Sequence, residues 1–127
     1  MKFKMLAVTA TLMLALPVAA QAAGDAAKGE VVFKKCKICH QVGPDAKNVV
    51  GPIQNNLIGR KAGTGEGFKY SDAMKEAGEK GMVWNEENLD KYLADPKNFI
   101  PKNKMAFVGL PDAADRADVI AYLKTLK

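Results

Sequence analysis

Five consecutive residues, Cys36-Lys37-Ile38-Cys39-His40, constrain this chain more than any other feature. They spell C-x-x-C-H, the attachment pattern of a c-type haem. Two thiols three positions apart can each add to a vinyl group on one edge of a porphyrin. The residue that follows then lies where its imidazole reaches the central iron. In this reading Cys36 and Cys39 are thioether anchors and His40 is the proximal ligand. A zinc site needs four ligands, and the whole chain offers one histidine and two cysteines. A thioredoxin-like dithiol would need a βαβ context, and the flanks of the motif lack the β-branched runs of such strands.

Residues 1–22 read as a cleavable secretory signal. Lys2 and Lys4 give a positive start, residues 5–16 are apolar, and Ala20-Gln21-Ala22 offers a small-x-small cleavage site. The apolar run is shorter than the roughly 18 to 20 residues a spanning helix needs. No cysteine stands near the cleavage point to accept a lipid, so the expected product is soluble, exported and without a membrane span. Removing 22 of 127 residues leaves 105, residues 23–127, enough for one domain. So short a chain has a thin core, and an inserted haem supplies an apolar body around which few residues can close. With both cysteines engaged, no disulfide is available. Loss of Lys2 and Lys4 lowers the formal charge from +5 to +3. That mild excess, with export, argues against nucleic acid as a partner.

Residues 25–37 show a helical period, with Ala26, Gly29, Phe33 and Cys36 on one face and Asp25 as cap. Gly29 inside a helix costs about 1 kcal/mol relative to alanine. Close approach of another helix would explain it, and the candidate is residues 112–127, whose stripe is Val119, Ile120, Leu123 and Leu126 with Tyr122 beside it. Residues 43–67 carry Gly-Pro pairs and repeated glycines but no period. A loop of that length in a small domain usually has a task, and wrapping a cofactor is one. Ser71 or a neighbour is expected to cap a short helix through Ala77, ended by Gly78 and Gly81. Asn85 should cap a better one, ended by Asp95-Pro96. Residues 97–109 read as irregular, and no alternating strand pattern occurs.

With one histidine at the iron, the sixth position falls to methionine, to lysine or to neither, and that choice separates a carrier from a gas-binding or peroxidatic protein. Met74 and Met82 sit where core filling accounts for them. Met105 follows Pro101-Lys102-Asn103-Lys104 in an irregular segment, where a helical core does not explain a thioether.

At this point the sequence resembles the class I c-type cytochromes, within them the bacterial cytochrome c2 group and mitochondrial cytochrome c. The resemblance spans nearly all of residues 23–127. Gly24-Asp25, Gly29, Phe33, the C-x-x-C-H motif, Gly51-Pro52, Gly59-Arg60-Lys61 and Gly67-Phe68-Lys69-Tyr70-Ser71 carry its first half. Trp84, Tyr92-Leu93, Asp95-Pro96, Ile100-Pro101, Lys104-Met105-Ala106-Phe107 and Ile120-Ala121-Tyr122-Leu123-Lys124 carry the second. It implies a small all-α, single-domain class I cytochrome c fold, with crossing terminal helices and loops around one covalent haem c. It also implies Met105 as sixth ligand and a Pro52 carbonyl accepting from the His40 ring. Arg60, Tyr70 and Trp84 should surround the propionates, and Tyr92 should reach the Met105 sulfur. Gln54 departs from the apolar residue many relatives carry after Gly-Pro-x, Met74 falls near an asparagine position, and Asn103 replaces a threonine.

The function implied is electron transport rather than catalysis: a monomeric periplasmic carrier between a quinol:cytochrome c oxidoreductase and a photosynthetic reaction centre or terminal oxidase. Lys35, Lys97 and Lys104 are the expected docking lysines. The alternatives are a peroxidase-like haem enzyme or gas sensor with a displaceable sixth ligand, and a dedicated acceptor for a periplasmic dehydrogenase.

Overall fold

Asp25 sets the start of the first helix. Its carboxylate accepts from the N–H groups of Ala27 at 2.9 Å and Lys28 at 3.2 Å, relieving donors that no helical carbonyl can reach. The computed structural model describes residues 24–127; the expected signal, residues 1–22, lies outside the described residues. The helices are α1 Ala26–Phe33, α2 Asp72–Glu79, α3 Glu86–Ala94, α4 Pro96–Phe99 and α5 Ala113–Lys124. Among the described residues the only β pairing is a single bridge between Lys61 and Val83. None of these helices is long and apolar enough to cross a membrane.

α1 packs on α5 more extensively than any other pair of helices touches, and glycine makes the approach possible. A Cβ on Gly29 would stand 2.8 Å from Tyr122 Cβ and nearer still to the Asp118 carbonyl, and one on Gly24 would strike the Ala117 carbonyl. The Asp25 N–H donates to the Asp118 carboxylate at 2.7 Å, tying the two ends of the chain. Phe33 and Tyr122 meet across the crossing with ring centroids 5.4 Å apart and planes at 56°. Buried Phe33, Val119, Ile120 and Leu123 form the floor of the core. Each contributes about 1.5–3 kcal/mol on removal from water.

α3 joins α5 through Arg116, whose Nε lies 2.7 Å from Asp90 Oδ1 and whose Nη1 donates to the Leu110 carbonyl at 2.8 Å. Arg116 is mostly shielded, unlike the other cations in ion pairs here, so this pair is screened least by water. Asn85 caps α3 by accepting from Asn88 N–H at 2.8 Å.

Three elements differ from the sequence reading. The period over residues 25–37 gives an α-helix only to Phe33. Beyond it, Lys35 and Cys36 N–H turn to carbonyls three residues back, and the chain tightens into turns through Cys39. Gly78 does not end α2 but lies inside it, where any Cβ would strike the Ala62 carbonyl; Gly81, at φ 97°, is the true break. Residues 97–109 include the one-turn α4, since Asp95 ends α3 and then caps a new turn through Asn98 N–H at 3.2 Å with Pro96 in its first position.

Candidate haem-binding site

The helices and the long loop close around a cavity of about 360 Å³. Phe33, Leu57, Leu89, Val119 and Leu123 contribute to its apolar walls, and Cys36, Cys39 and His40 lie along one side. The turns that end α1 hold these three together: Cys39 N–H donates to the Cys36 carbonyl at 3.0 Å and His40 N–H to the same oxygen at 2.9 Å. Burial, then the neighbouring Cys39, pushes the Cys36 thiol up, against a smaller opposing pull from Lys35.

His40 is oriented by Gly51-Pro52. Its Nδ1 lies 2.8 Å from the Pro52 carbonyl oxygen, and a Cβ on Gly51 would stand 2.7 Å from that same nitrogen. With Nδ1 engaged by this turn, Nε2 is the ring nitrogen left to serve a ligand in the cavity that His40 lines. Burial pushes the imidazole below its ordinary pKa, and the bond to Pro52 opposes this in part. The ring is therefore neutral at pH 7, with one nitrogen protonated and the other bare, the state a metal ligand requires.

Met105 lines the same cavity, whereas Met82 does not. Met74 lines it as well, from inside α2. What distinguishes Met105 is its support. The Tyr92 hydroxyl lies 3.8 Å from its sulfur, and burial raises the Tyr92 pKa to about 12, so that hydroxyl keeps its proton. The segment is shaped by a turn at Ile100-Pro101-Lys102-Asn103, closed by Asn103 N–H to the Ile100 carbonyl at 3.2 Å. Pro101 precedes Lys102 at φ 66°, the sign of φ a type II turn demands at its third residue. Asn103 then fastens the segment, donating to the Pro96 and Ile100 carbonyls at 2.9 and 2.8 Å and accepting from Met105 N–H at 2.8 Å. Both its amide protons are thereby engaged within the loop.

Arg60, Tyr70 and Trp84 also reach the cavity. The Tyr70 hydroxyl oxygen accepts from Gly65 N–H at 2.9 Å, leaving its own proton to donate. Arg60 makes long bonds to the Asn55 and Ile53 carbonyls, at 3.4 and 3.3 Å. Trp84 is buried as a residue and brings its indole to the same cavity. A convergence of under-used donors suits an acidic group brought into this pocket. Of the expected docking lysines, Lys35 and Lys104 line the cavity, while Lys97 stands exposed in α4 and does not. Lys35 lies 3.9 Å from Asp115, and Lys104 donates to the Lys69 carbonyl at 3.3 Å.

The family pattern named Cytochrome c matches residues 26–127. The chain belongs to the cytochrome c family. It is 62% identical over 106 residues to cytochrome c2 of Rhodomicrobium vannielii, covering 84% of this chain and 82% of that one. It is 53% identical over 112 residues to cytochrome c2 of Blastochloris viridis, covering 88% and 86%. The solved structure of cytochrome c2 from Rhodospirillum centenum superposes with a TM-score of 0.77 at 50% identity, covering 81% of this chain and 98% of that one. The helical architecture is thus the class I cytochrome c fold. This cytochrome is an electron carrier and not an enzyme, and it takes one covalent haem c, for which the chain has two cysteines.

The pocket fits that group on its own chemistry. Thiols stand at one side, walls are apolar, a neutral imidazole and a thioether share the space, and Tyr70 and Trp84 bring a hydroxyl and an indole N–H to it. Gln54, noted in the sequence only as a departure, was the residue whose role no motif could announce. It is 9% exposed, and its Nε2 stands 2.8 Å from His40 Nδ1 and 3.1 Å from the Pro52 oxygen.

Proposed function

We propose that this cytochrome is a periplasmic one-electron carrier whose iron is held by His40 and Met105, with thioether bonds at Cys36 and Cys39. The observation that carries this reading is that both side chains line one cavity and each is fixed from behind, His40 by the Pro52 carbonyl and Met105 by the Tyr92 hydroxyl. When bound, the haem supplies an iron that cycles between ferrous and ferric. Everything else is the work of the chain. A soft thioether favours the ferrous state, and so does a dry apolar pocket that penalises the extra charge of the ferric one. Arg60, Tyr70 and Trp84 hold the propionates. Two side-chain ligands leave no position for a substrate. Hydrogen bonds that fix both ligands keep rearrangement small between redox states.

Residues 1–22 direct export and are removed, leaving 23–127 as the working domain, a monomer. Its donor is a quinol:cytochrome c oxidoreductase, and its acceptor a photosynthetic reaction centre or terminal oxidase. These meet it at the mouth of the cavity, where Lys35 and Lys104 stand and Ile38 and Val50 lie largely exposed.

The test is the absorption spectrum of the oxidised protein and of Met105→Ala. The wild type should show a sulfur-to-ferric-iron charge-transfer band. The variant should lose it, keep its covalent haem, fall in potential and bind external ligands. A band that survives the substitution would pass the assignment to Met74.

A further inference from the structure

We propose that Gln54 is a positioning residue that raises the reduction potential by competing with His40 for the Pro52 carbonyl. This rests on His40 being an iron ligand. A histidine that gives Nε2 to a metal keeps its proton on Nδ1, so Nδ1–H donates to the Pro52 oxygen at 2.8 Å. The Gln54 amide nitrogen lies 2.8 Å from Nδ1, but with Nδ1 protonated neither nitrogen offers the other a lone pair. The contact is therefore two donors side by side, converging on one acceptor. Gln54 Nε2 reaches that acceptor at 3.1 Å.

A carbonyl oxygen has two lone pairs and can serve both donors, but each bond draws electron density from the other. The His40–Pro52 bond is weaker than it would be alone. Strong hydrogen bonding at Nδ1 gives a ligating imidazole imidazolate character and raises its basicity toward the metal. Strengthening that bond favours ferric iron, and weakening it favours ferrous. Gln54 adds a second effect of the same sign, because its amide hydrogens place partial positive charge beside the ring. The backbone sets the side chain in place: Gln54 N–H donates to the Gln41 carbonyl at 3.1 Å, anchoring the residue against the strand of loop that follows His40.

Substituting leucine removes the donor and keeps the bulk. Making the pocket more apolar would by itself raise the potential, since a dry surround penalises the ferric charge. Loss of the competing donor should lower it, so the sign of the change discriminates. Holoprotein carrying Gln54→Leu or Gln54→Met should be titrated potentiometrically, and the His40 Nδ1–H resonance followed by NMR in the ferrous state. In both variants we expect the ferrous-over-ferric equilibrium to fall by about threefold to tenfold, tenfold being 59 mV for one electron. The Nδ1–H resonance should move downfield as its bond to Pro52 shortens, with the sulfur-to-iron band unchanged. An unchanged or higher potential, or an unmoved resonance, would overturn the proposal. Loss of the band in both variants would also overturn it, by making Gln54 a residue of the fold. If the wild type lacked the band, the ligand assignment would fall instead.

Discussion

Asn103→Ala should open the iron to external ligands without touching either proposed ligand. Asn103 makes three side-chain hydrogen bonds that tie Met105 to α4 and to the turn before it. At about 1 kcal/mol net for each, the ceiling on their joint contribution is about 3 kcal/mol. The Pro96 and Ile100 carbonyls each keep another donor, Ile100 N–H at 3.1 Å and Asn103 N–H at 3.2 Å, so the substitution leaves only Met105 N–H newly unpaired. That brings the figure to about 2 kcal/mol, a factor of about thirty in an equilibrium constant. An external ligand must displace the thioether and break this loop open, so what the loop loses the ligand gains. Imidazole titration of the oxidised protein, followed at the sulfur-to-iron band, should give a dissociation constant about thirtyfold lower in the variant. Asn98→Ala is the control, because the Asn98 side chain bonds only to Asp95 at the start of α4. If Asn103→Ala binds imidazole within about threefold of wild type, the three bonds do not hold the methionine.

Gly29→Val should lower stability by about 1–3 kcal/mol through overpacking at the α1–α5 crossing, while Lys28→Ala and Glu30→Ala, both exposed, stay within about 0.5 kcal/mol of wild type. Equal melting temperatures by circular dichroism would remove the crossing from the account. Lys102→Val should destabilise by about 1–2 kcal/mol, since a β-branched residue tolerates φ 66° poorly, and Lys102→Gly should not; chemical denaturation of the holoprotein distinguishes them. Lys97→Gln and Lys104→Gln should slow second-order electron transfer to a reaction centre or oxidase at low salt and converge on wild type as salt rises, because a patch acts over about 8 Å at physiological ionic strength. Lys124→Gln loses the same charge but sits away from the cavity, paired with Glu86. Equal slowing by all three in flash kinetics would mean that net charge, not a local patch, governs encounter.

Much of the fold was legible because its signals are local. Asp25, Ser71 and Asn85 all cap helices, and each is a short polar side chain standing before a periodic run. Gly29 was legible for a different reason: a glycine inside a good helical pattern demands a neighbour, and the terminal helix was the one apolar stripe long enough to be it. Gly78 carries no such signal, because its neighbour is the Ala62 carbonyl in a loop with no pattern of its own. The motif and Met105 could be named from sequence, but their supports could not. Gln54 meets His40 only because Gln41 anchors its backbone, and Asn103 spends its protons on carbonyls whose directions are set by a turn and a one-turn helix. Such contacts depend on where loops return, which neither period nor propensity encodes.

The crossing of α1 and α5 also fixes an order of events in time. Asp25 and Asp118, joined by a hydrogen bond, are 93 positions apart. Because α1 precedes α5 along the chain, their crossing cannot form until α5 has emerged. Ordering so distant a pair has to wait for loop closure, which slows folding relative to local contacts. Cys36, Cys39 and His40 begin three residues after α1 ends, on chain that has as yet nothing to fold against. Until α5 packs on α1, both thiols stand beside a cavity whose wall is incomplete. Docking of α5 then supplies the wall of Val119 and Leu123. The α5 helix thus completes a wall that α1 only begins.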